Sequence, residues 1–438
     1  MKFVTGECRQ TTTLEQLTGG GRNNPVTVHG AVHALRDMGG LVFLTLRLAR
    51  GAVQCVCAPE ALPEGLCEEC CVELSGTVRE EPRAPGGVEI AADTVAVLSR
   101  PAAPMPVPLG KKRLELNLDT ELALRPAVLR HLRERAVFKV QEGLVRAFRD
   151  HLTGEGFTEV HTPKIVRAGA EGGSNIFKLD YFGKKAYLAQ SPQFYKQTMV
   201  GVYERVFEVG PVFRAEKHAT PRHLNEYTGM DLEMGYIGSF YDVMEVEAGY
   251  LRRAMELLAK EYAAELKVLD VELPDVSHIP CLRFGEAKRL AAEKYGYSIR
   301  DPYDLEPEEE AHIGQYAKEE FGSDFVFVTH YPSKKRPFYA MDDPDDPKYT
   351  LSFDLLFRGM EVTTGGQRVH DYAAQAAKME KWGLDPAEFA SYLMIHKCGM
   401  PPHGGLGIGL ERLTMKLCGL DNVRYASLFP RDRSRLEP

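Results

Sequence analysis

The sequence lacks any uninterrupted apolar run of the roughly 18 residues that a membrane-spanning helix needs. Its first ten residues, MKFVTGECRQ, also lack the apolar stretch of a secretory signal peptide, because Glu7 and Arg9 interrupt it. With 44% hydrophobic and 26% charged residues, the composition excludes a disordered, collagenous or fibrous chain. We therefore expect a globular cytoplasmic protein that does not enter the membrane.

The chain also lacks an excess of positive charge. Its 54 Lys and Arg residues face 62 Asp and Glu residues, for a formal net charge of −8. Residues 1–110 alone contain nine basic and twelve acidic side chains. A protein that binds nucleic acid through bulk electrostatics normally has the opposite sign. Any RNA must therefore be bound through stacking, base-edge hydrogen bonds and a few placed cations, for which Arg36 and Arg47 are the candidates.

Cysteines are few, nine in 438 residues, which is far below the density of a disulfide scaffold. We expect reduced thiols. One cluster, Cys67, Cys70 and Cys71, contains the C-x-x-C spacing of half a zinc site. No second Cys or His pair lies at zinc-finger spacing, so a metal at this cluster is disfavoured.

A length of 438 residues predicts two or three domains, at roughly 150 residues each. Residues 1–98 contain five short β-prone runs separated by glycine turns. This pattern predicts a five-stranded β-barrel of the OB type, which commonly binds single-stranded nucleic acid, and a small β-sandwich is the alternative. The runs are Val26–Ala31, Leu41–Leu46, Ala52–Ala58, Cys71–Val78 and Val88–Val97.

A proline-rich segment then separates this domain from the rest of the chain. Residues 99–125 begin with SRPAAPMPVPLGKK, which cannot form a helix or a central strand and reads as a semi-rigid linker. A helical pattern from Pro126 to about Thr153 opens the second domain, residues 126–438. Further on, β-prone runs alternate irregularly with helices such as Phe240–Leu266, which favours an antiparallel sheet flanked by helices. The predicted fold class is α+β.

Two segments of the second domain suggest nucleotide chemistry. Arg214 and Glu216 end a β-prone run and are followed by a polar loop with Arg222 and His223, which could clamp a polyphosphate or simply form a salt-bridged hairpin. The segment GLGIGLER, ending at Arg412, differs from a dinucleotide-binding loop, because its spacing is G-x-G-x-G and no βαβ unit surrounds it. Its glycines would let a flat base lie against the backbone beside the arginine.

Two further segments carry carboxylates or a lysine. Asp354 and Glu361 are separated by a glycine and could meet at one Mg²⁺ shared with phosphate oxygens, or be two solvated carboxylates. Lys196 follows Gln190-Ser191-Pro192-Gln193 at a predicted helix start, and in isolation a lysine there predicts nothing.

Together and in this order, the segments resemble the class II aminoacyl-tRNA synthetases, and within them the aspartate-specific subgroup of archaeal type, over almost the whole chain. The resemblance is carried by GFTEVHTPKI with Pro163, by FRAE with HLNEYTGMDLEM, by GLGIGLERL and by FPRDRSRLEP. It implies an OB-type anticodon-binding domain and a class II catalytic domain with an insertion near residues 280–345. It also implies a homodimer formed through the long helix before Pro163, although the apolar stripe of that helix would look the same packed within one chain.

The resemblance further implies that ATP and L-aspartate form aspartyl-adenylate, with Mg²⁺, before transfer to tRNA. Positioning and charge neutralisation do most of the work in such phosphoryl chemistry. By resemblance, Arg214, Glu216 and Arg412 are the catalytic residues, and Asp354 and Glu361 hold the metal. The implied ATP-binding residues are Arg214, Glu216, Arg222, His223, Leu224, Tyr227, Glu361, Gly409 and Arg412.

For the amino acid, the resemblance places Lys196 and Arg368 on the side-chain carboxylate of aspartate. A unit charge pair at about 4 Å is worth ~4 kcal/mol at an intermediate dielectric, so asparagine, which lacks the charge, would be rejected. The subgroup usually has Ser where this chain has Thr364, and the hydroxyl is kept. The other implied aspartate contacts are Glu171 as a lid, Ser191, Gln193, Arg214, Asp231 and Thr364.

In the barrel, Phe43 and Gln54 match positions that stack on and hydrogen-bond anticodon bases. Strict members of the subgroup carry Trp and Lys where this chain has His33 and Pro85. Pro85, followed by Gly86-Gly87, offers no side-chain group to tell the last anticodon base C from U. We therefore predict a relaxed enzyme that aspartylates both tRNA(Asp) and tRNA(Asn), with no DNA partner.

Three alternatives stay open. The first is a strict enzyme for tRNA(Asp) with the same active site. The second is a paralogue specific for asparagine or acting without tRNA; the asparagine enzymes lack the QSPQ-x-x-K arrangement, and tRNA-independent paralogues lack the barrel. The third is an RNA-binding regulator with a dead catalytic domain, which would normally have lost Arg214, Glu361 or Arg412, all present here.

Overall fold

The structure is a computed structural model that describes residue 6 and residues 11–20, 23–167 and 175–437. The chain forms two compact units, Met1–Glu134 and Arg135–Pro438. The dividing point lies within the helical stretch that follows the proline-rich segment. None of the helices in the described ranges is both long enough and apolar enough to span a membrane.

The first unit contains a closed five-stranded barrel, as predicted. Each strand pairs with its neighbours in the order β1-β2-β3-β5-β4, and β4 closes the ring on β1. All pairs are antiparallel except β3 with β5. Residues alternate between the interior and the outer face, as in Val53, Cys55 and Cys57 of β3, which are buried. The elements are α1 (Leu14–Thr18), β1 (Pro25–Asp37), β2 (Val42–Leu48), β3 (Gly51–Cys57), β4 (Cys71–Glu80) and β5 (Val88–Ser99).

The residues after the barrel form no strand or helix until α2 (Leu118–Ala123) and α3 (Arg125–Val128). The predicted helix from Pro126 to Thr153 is broken near its start, since Pro126 to Val128 belong to α3. Leu129 to His131 interrupt it, and the long helix α4 begins only at Leu132 and ends at Gly154. Pro126 explains the separate start, because proline is favoured in the first turn of a helix and opens α3.

The second unit is built on an eight-stranded sheet. Its six central strands are antiparallel, as predicted, whereas the outermost pairs at both edges, β12-β13 and β10-β6, are parallel. The strand order is β12-β13-β14-β15-β16-β11-β10-β6, with a separate three-stranded sheet β7-β9-β8. The strands are β6 (Thr158–Glu159), β7 (Ile165–Val166), β8 (Lys178–Tyr181), β9 (Lys184–Leu188), β10 (Arg205–Phe213), β11 (Glu226–Gly235), β12 (Cys281–Arg283), β13 (Phe325–Thr329), β14 (Ser352–Phe357), β15 (Glu361–Gln367) and β16 (His403–Gly409).

Helices pack on this sheet and bury its largest apolar core. Phe148 of α4 contacts Phe207 of β10 and Tyr250 of α6 edge to face, with ring centroids 5.8 and 5.1 Å apart. The predicted α+β architecture is confirmed. The helices are α5 (Gln193–Tyr203), α6 (Tyr241–Glu261), α7 (Ala263–Leu269), α8 (Phe284–Tyr295), α9 (Pro307–Phe321), α10 (Tyr372–Lys381), α11 (Ala390–Lys397) and α12 (Leu410–Leu417).

The predicted helix Phe240–Leu266 is also broken, because Tyr262 separates α6 from α7. Its backbone leaves the helical region at φ −124°. The Tyr262 side chain packs towards α4, where its hydroxyl donates to Glu142 Oε1 at 3.1 Å. Helices α4 and α6 approach closely here, since a Cβ on Gly143 would lie 2.6 Å from Leu258 Cδ2. A tertiary contact therefore ends a helix that the local sequence pattern would continue.

Candidate active site

A cavity of about 820 Å³ in the second unit is lined by β10, β11, β15 and β16 and by the segments that follow β10 and precede β14. It collects most of the residues that the sequence predicted for ATP and aspartate. Asp354 does not line it, and Glu171 lies outside the described residues. The predicted residues in its wall are Ser191, Gln193, Lys196, Arg214, Glu216, Arg222, His223, Leu224, Tyr227, Asp231, Glu361, Thr364, Arg368, Gly409 and Arg412.

One end of the cavity holds two buried cations, Lys196 and Arg368. Lys196 extends from the first turn of α5 and is 2% exposed. Its Nζ lies 2.9 Å from Asp231 Oδ1 and donates to the carbonyl oxygen of Leu406 at 2.8 Å. Arg368 donates through Nε to Glu233 Oε1 at 2.8 Å. Each cation therefore has a carboxylate partner on β11.

Glu233 was not predicted, although it holds this arrangement together. It is fully buried, and its Oε2 is also 3.5 Å from Lys196 Nζ. Burial would raise the pKa of the Glu233 carboxyl, but Arg368 and Lys196 hold it below its usual value. The available signal was the spacing of Asp231 and Glu233, which places two carboxylates on one face of a strand. Two such groups can be buried together only with cationic partners.

Asp231 differs from Glu233 in its electrostatic balance. Burial raises the pKa of the Asp231 carboxyl, and Lys196 opposes this only in part. Asp231 also lines the cavity, where it can meet a ligand. A second cation brought by a ligand would therefore be favourable beside Asp231.

The cavity wall also carries further arginines, among them Arg214, Arg222 and Arg412. Arg214 directly follows β10, and its backbone N–H donates to Asn225 O at 2.9 Å. Arg412, on α12, donates to the backbone oxygens of Glu361 and Arg222 at 3.2 and 3.3 Å. Tyr227 lies opposite Val212 in the β10-β11 pair. This clustering of cations and one aromatic ring in a concave site suits a nucleotide with its phosphates.

Arg222 is held by a residue that the sequence did not reveal. Its guanidinium forms an ion pair with Glu310 of α9, which also accepts a hydrogen bond from the Glu361 N–H at 2.9 Å. Burial raises the pKa of Glu310 to about 7. Burial also lowers the pKa of the neighbouring His223, with Arg412 adding to the effect. The loop is thus anchored to a helix 88 residues away in the sequence.

The two predicted metal ligands lie on the neighbouring strands β14 and β15 in different surroundings. Glu361 lines the cavity and accepts a hydrogen bond from Thr364 Oγ1 at 3.1 Å. Asp354 is buried, with Oδ1 2.8 Å from Arg336, whose guanidinium stacks on Tyr331. Within the described ranges, no group of three or more His, Cys, Asp or Glu side chains is arranged for a metal. Both carboxylates thus have a cationic partner, since Glu361 Oε1 lies 3.7 Å from Arg412, but only Glu361 lines the cavity, where a cation could be shared with phosphate oxygens.

In the barrel, the predicted RNA-contacting residues differ in their exposure to solvent. Phe43 and Gln54 are half-buried on the outer face, and Gln54 Nε2 donates to Glu89 Oε2 at 3.0 Å. Pro85 is exposed and opens a tight turn in which Gly86 has φ 81°. His33, by contrast, lies in a bulge of β1 and is only 9% exposed.

Arg36 lies opposite Phe43 and is exposed, and its contact with RNA stays a prediction. For Arg47 the structure contradicts the prediction of a cation that contacts RNA. Arg47 is 8% exposed and donates two hydrogen bonds to the buried Glu69, at 2.6 and 2.7 Å. Glu69 also pairs with Arg130 at 2.9 Å. Arg47 is thus a structural cation and does not reach solvent to meet RNA.

Cys67 and Cys70 lie on either side of Glu69 in the sequence, with their sulfur atoms 3.5 Å apart as free thiols.

Comparisons with known proteins agree with this geometry. Residues 117–433 match the family of class II tRNA synthetases (D, K and N), and residues 26–98 match the OB-fold nucleic acid binding domain. The chain is 49% identical to aspartate-tRNA(Asp/Asn) ligase of Deinococcus radiodurans, over 99% of this chain and 100% of that protein. It is also 49% identical to the enzyme of the same name from Thermus thermophilus, over 94% of this chain and 96% of that protein.

Solved structures show the same likeness. The asparaginyl-tRNA synthetase from Pyrococcus horikoshii complexed with asparaginyl-adenylate superposes with a TM-score of 0.88 at 31% identity, covering 98% of this chain and 100% of that one. The family model spans well over half of the chain and the relatives cover nearly all of it. The chain therefore belongs to the class II tRNA synthetases, in the D, K and N group.

Proposed function

We propose that this protein uses ATP to attach L-aspartate to tRNA(Asp), and also to tRNA(Asn), through an aspartyl-adenylate intermediate. The observation that carries the choice of amino acid is the pair of buried cations, Lys196 and Arg368, at one end of the cavity. The full-length relatives from Deinococcus radiodurans and Thermus thermophilus, named for both tRNAs, support the choice of acceptor.

Aspartate complements the charges at that end of the cavity. Its α-ammonium would pair with Asp231, which lies 2.9 Å from Lys196. Its side-chain carboxylate would then compensate the positive charges of both Lys196 and Arg368. Asparagine brings the ammonium without the carboxylate, so Lys196 and Arg368 would be left to share the single charge of Glu233. Such a loss costs several kcal/mol at about 4 Å separation, which is enough for discrimination without editing. Ser191, Gln193 and Thr364 line the same cavity and would orient the substrate.

In the first step, an oxygen of the α-carboxylate attacks the α-phosphorus of ATP and pyrophosphate leaves. Arg214 would neutralise charge on the α-phosphate, and Arg222, His223 and Arg412 would face the other phosphates. Glu216 would accept a hydrogen bond from the adenine amino group, and Asn175 Nδ2 already donates to Glu216 at 3.2 Å. Tyr227 would stack on the adenine base, which Leu224 and Gly409 would border. Bound Mg²⁺ supplies further positive charge against the phosphate oxygens.

Glu361 is the residue that would hold this Mg²⁺, since its carboxylate faces the cavity. Asp354 would contribute only after its ion pair with Arg336 opens. In the second step, a hydroxyl of the 3′-terminal adenosine of tRNA attacks the aspartyl carbonyl, and AMP leaves. The adenylate carries the activation, so the protein needs mainly to align the two reactants.

The barrel would read the anticodon through stacking on Phe43 and hydrogen bonding by Gln54, with Arg36 as a nearby cation. Pro85 presents an exposed ring without a hydrogen-bonding group at the turn that would meet the last anticodon base. Relaxed recognition of C and U at that base follows from this lack of a polar contact. His33 would act indirectly, because it is nearly buried.

The decisive experiment combines activation and charging. Aspartate-dependent pyrophosphate exchange should occur without tRNA. Purified tRNA(Asn) should be charged with aspartate at an efficiency within about tenfold of that for tRNA(Asp). An enzyme that made a specific contact with the last anticodon base of tRNA(Asp) would lose that contact with tRNA(Asn) and discriminate more strongly. Lys196→Ala should reduce exchange by about 10³-fold, the equivalent of ~4 kcal/mol. Lys185→Ala, at an exposed lysine of β9, is the matched control.

An unchanged exchange rate in Lys196→Ala with a normal circular dichroism spectrum would refute the amino-acid assignment. If tRNA(Asn) is charged orders of magnitude more slowly than tRNA(Asp), the enzyme is the strict form and the relaxed reading is wrong. Exchange with asparagine in place of aspartate would identify the asparagine-specific alternative. A complete absence of exchange would favour the RNA-binding regulator.

A homodimer is also part of this proposal. A second groove, of about 430 Å³, runs along α4. Its lining is partly apolar, with Phe138, Val145, Leu410 and Leu428, and partly polar, with Gln141, Glu142, Arg146, Arg149 and Asp150. Leu410 belongs to the main core and Phe138 and Val145 pack against that core, whereas Leu428 is 49% exposed. A second copy of the chain could cover the exposed part of this groove.

A further inference from the structure

The mouth of the active-site cavity carries an aromatic and a cationic side chain that aspartate and ATP do not account for. Trp382 is the only tryptophan in the sequence. It follows the last residue of α10, is 40% exposed and lines the cavity. Lys334 is also exposed and lines the cavity, from a 3-10 turn over Ser333–Lys335.

The turn that presents Lys334 is held firmly. Ser333 donates through Oγ to Asp342 Oδ1 at 2.6 Å and through its backbone N–H to Lys348 O at 2.8 Å. Lys335 pairs with Asp301 and Asp304 at 3.0 and 3.4 Å. The loop from residue 301 to 304 is thereby tied to the turn, at a fixed place beside the cavity.

The two neighbouring lysines differ in how their charge is compensated. Lys335 has two carboxylates, whereas Lys334 forms no ion pair with any side chain that the structure describes. The Lys334 Nζ instead lies 4.8 Å from the centroid of the Tyr303 ring, a cation-π distance that keeps the ammonium at the surface. Its charge is available to an anion at the cavity mouth.

A macromolecular substrate would have to pass this mouth. On the function proposed above, the terminal adenosine of tRNA enters the cavity while the unpaired nucleotides before it remain at the entrance. Single-stranded nucleic acid is bound by aromatic rings that stack on bases and by cations that meet phosphates. The cavity interior already has Arg214, Arg222 and Arg412 for the phosphates of ATP.

We propose that Trp382 and Lys334 bind the unpaired 3′ end of tRNA, Trp382 by stacking on a base and Lys334 by contacting a phosphate. This inference rests on the proposed function. It adds a tRNA contact in the catalytic unit, at residues that belong neither to the aspartate end of the cavity nor to the arginine cluster. The contact recognises single-stranded RNA by stacking and charge, and it does not depend on the anticodon.

The lone tryptophan makes the contact directly observable. When the full-length protein is excited at a wavelength that only tryptophan among its side chains absorbs, a tRNA(Asp) transcript should quench the fluorescence emission of Trp382. A transcript that lacks its unpaired 3′ nucleotides should still bind through the anticodon but leave the emission unchanged. Equal quenching by both transcripts, or no quenching by either at saturating concentration, would overturn the proposal.

Kinetics provide the second readout. Trp382→Ala should lower kcat/KM for tRNA in aminoacylation by about fivefold to 100-fold, the cost of one lost base stack, and Trp382→Phe should recover most of it. Lys334→Ala should lower it less and reduce the salt dependence of tRNA binding by about 0.7 in log-log slope, as expected for one single-strand phosphate contact. Lys381→Ala, at an exposed lysine outside the cavity lining, is the control and should behave as wild type.

Pyrophosphate exchange without tRNA separates this inference from the proposed function. It should be unchanged in Trp382→Ala and Lys334→Ala. A raised KM for ATP in Lys334→Ala would assign the lysine to the nucleotide and refute the RNA contact. If wild-type protein shows no aspartate-dependent exchange, the proposed function itself fails, whereas normal charging by both variants refutes only the contact at the mouth.

Discussion

Glu247 on α6 is a buried carboxyl group that the proposed chemistry does not use. It is 1% exposed and accepts a hydrogen bond from Thr363 Oγ1 at 2.5 Å, while its Oε2 has no hydrogen-bond partner among the residues that the structure describes. Burial raises the pKa of Glu247 to about 8, and the negative charge of Asp354 adds to the effect. In the unfolded chain the same group would titrate near about 4.3.

This difference predicts how stability depends on pH. Because the folded state retains the Glu247 proton more tightly, its contribution to stability is fully present below the unfolded pKa and is lost as the pH rises to about 8. The loss amounts to at most about 1.4 kcal/mol for each pH unit in that window. Glu247→Gln, which keeps the acceptor for Thr363, should remove this component.

Urea unfolding at a series of pH values tests the prediction. The free energy of unfolding of Glu247→Gln should decline less than that of wild type between slightly acidic and slightly alkaline pH. Glu256→Gln, at an exposed glutamate on the same helix, is the matched control and should follow wild type. Identical slopes for wild type and Glu247→Gln would show that Glu247 is not protonated in the folded protein.

Single residues also show where sequence reasoning succeeds. Lys196 and Arg368 could be identified because a family motif places them, and the cavity does bring them together. Glu233 was missed although its spacing from Asp231 was a signal. Glu310 and Arg336 could not be identified, because each acquires its role from a partner that is distant in the sequence. Arg47 was misjudged for the same reason. Its buried partner Glu69 is 22 residues away, and nothing in the local pattern marks it.

Among the secondary-structure elements, the contact between α4 and α6 illustrates how packing overrides propensity. Gly143 lies in the middle of α4, where alanine would normally be preferred by about 1 kcal/mol. A Cβ there would come 2.6 Å from Leu258 Cδ2 and 3.0 Å from the Tyr262 ring. We therefore expect Gly143→Ala to destabilise the protein by about 1–3 kcal/mol through overpacking.

The control is Gly154→Ala at the end of the same helix, where a Cβ would meet nothing within 4 Å. Thermal or urea unfolding should show a lower stability for Gly143→Ala and an unchanged or slightly higher one for Gly154→Ala. Equal stability of the two variants would mean that α4 and α6 do not pack as closely as described.

The five barrel strands could be located from sequence because alternation and glycine turns are local signals. The boundaries of α3 and α4, and of α6 and α7, could not, since they depend on Pro126 and on the tertiary contacts of Tyr262. The parallel edge pairs of the large sheet were missed as well. β6 and β12 have only two and three residues, too few for a periodic pattern.

For the whole molecule, the groove along α4 makes the proposed dimer testable. Leu428 lines the groove and is 49% exposed. Leu428→Asp would place a charge in the apolar part of this groove, which the second copy would cover. Sedimentation should therefore show dimers of the wild type and largely monomers of the variant at the same concentration. Leu436→Asp, at an 83% exposed leucine outside the groove, should remain dimeric. Dimers in both variants would exclude this groove as the interface.

The residues of the implied insertion, 280–345, have a further consequence for the sheet. They supply β12 and β13, and β13 pairs with β14 along Phe325–Thr329. A chain shortened by excising this segment would leave β14, a fully buried strand, as an uncovered edge. Its unpaired N–H and C=O groups and apolar side chains would then invite strand-to-strand association. Trimming the enzyme at this point would therefore produce aggregates and not a smaller catalyst.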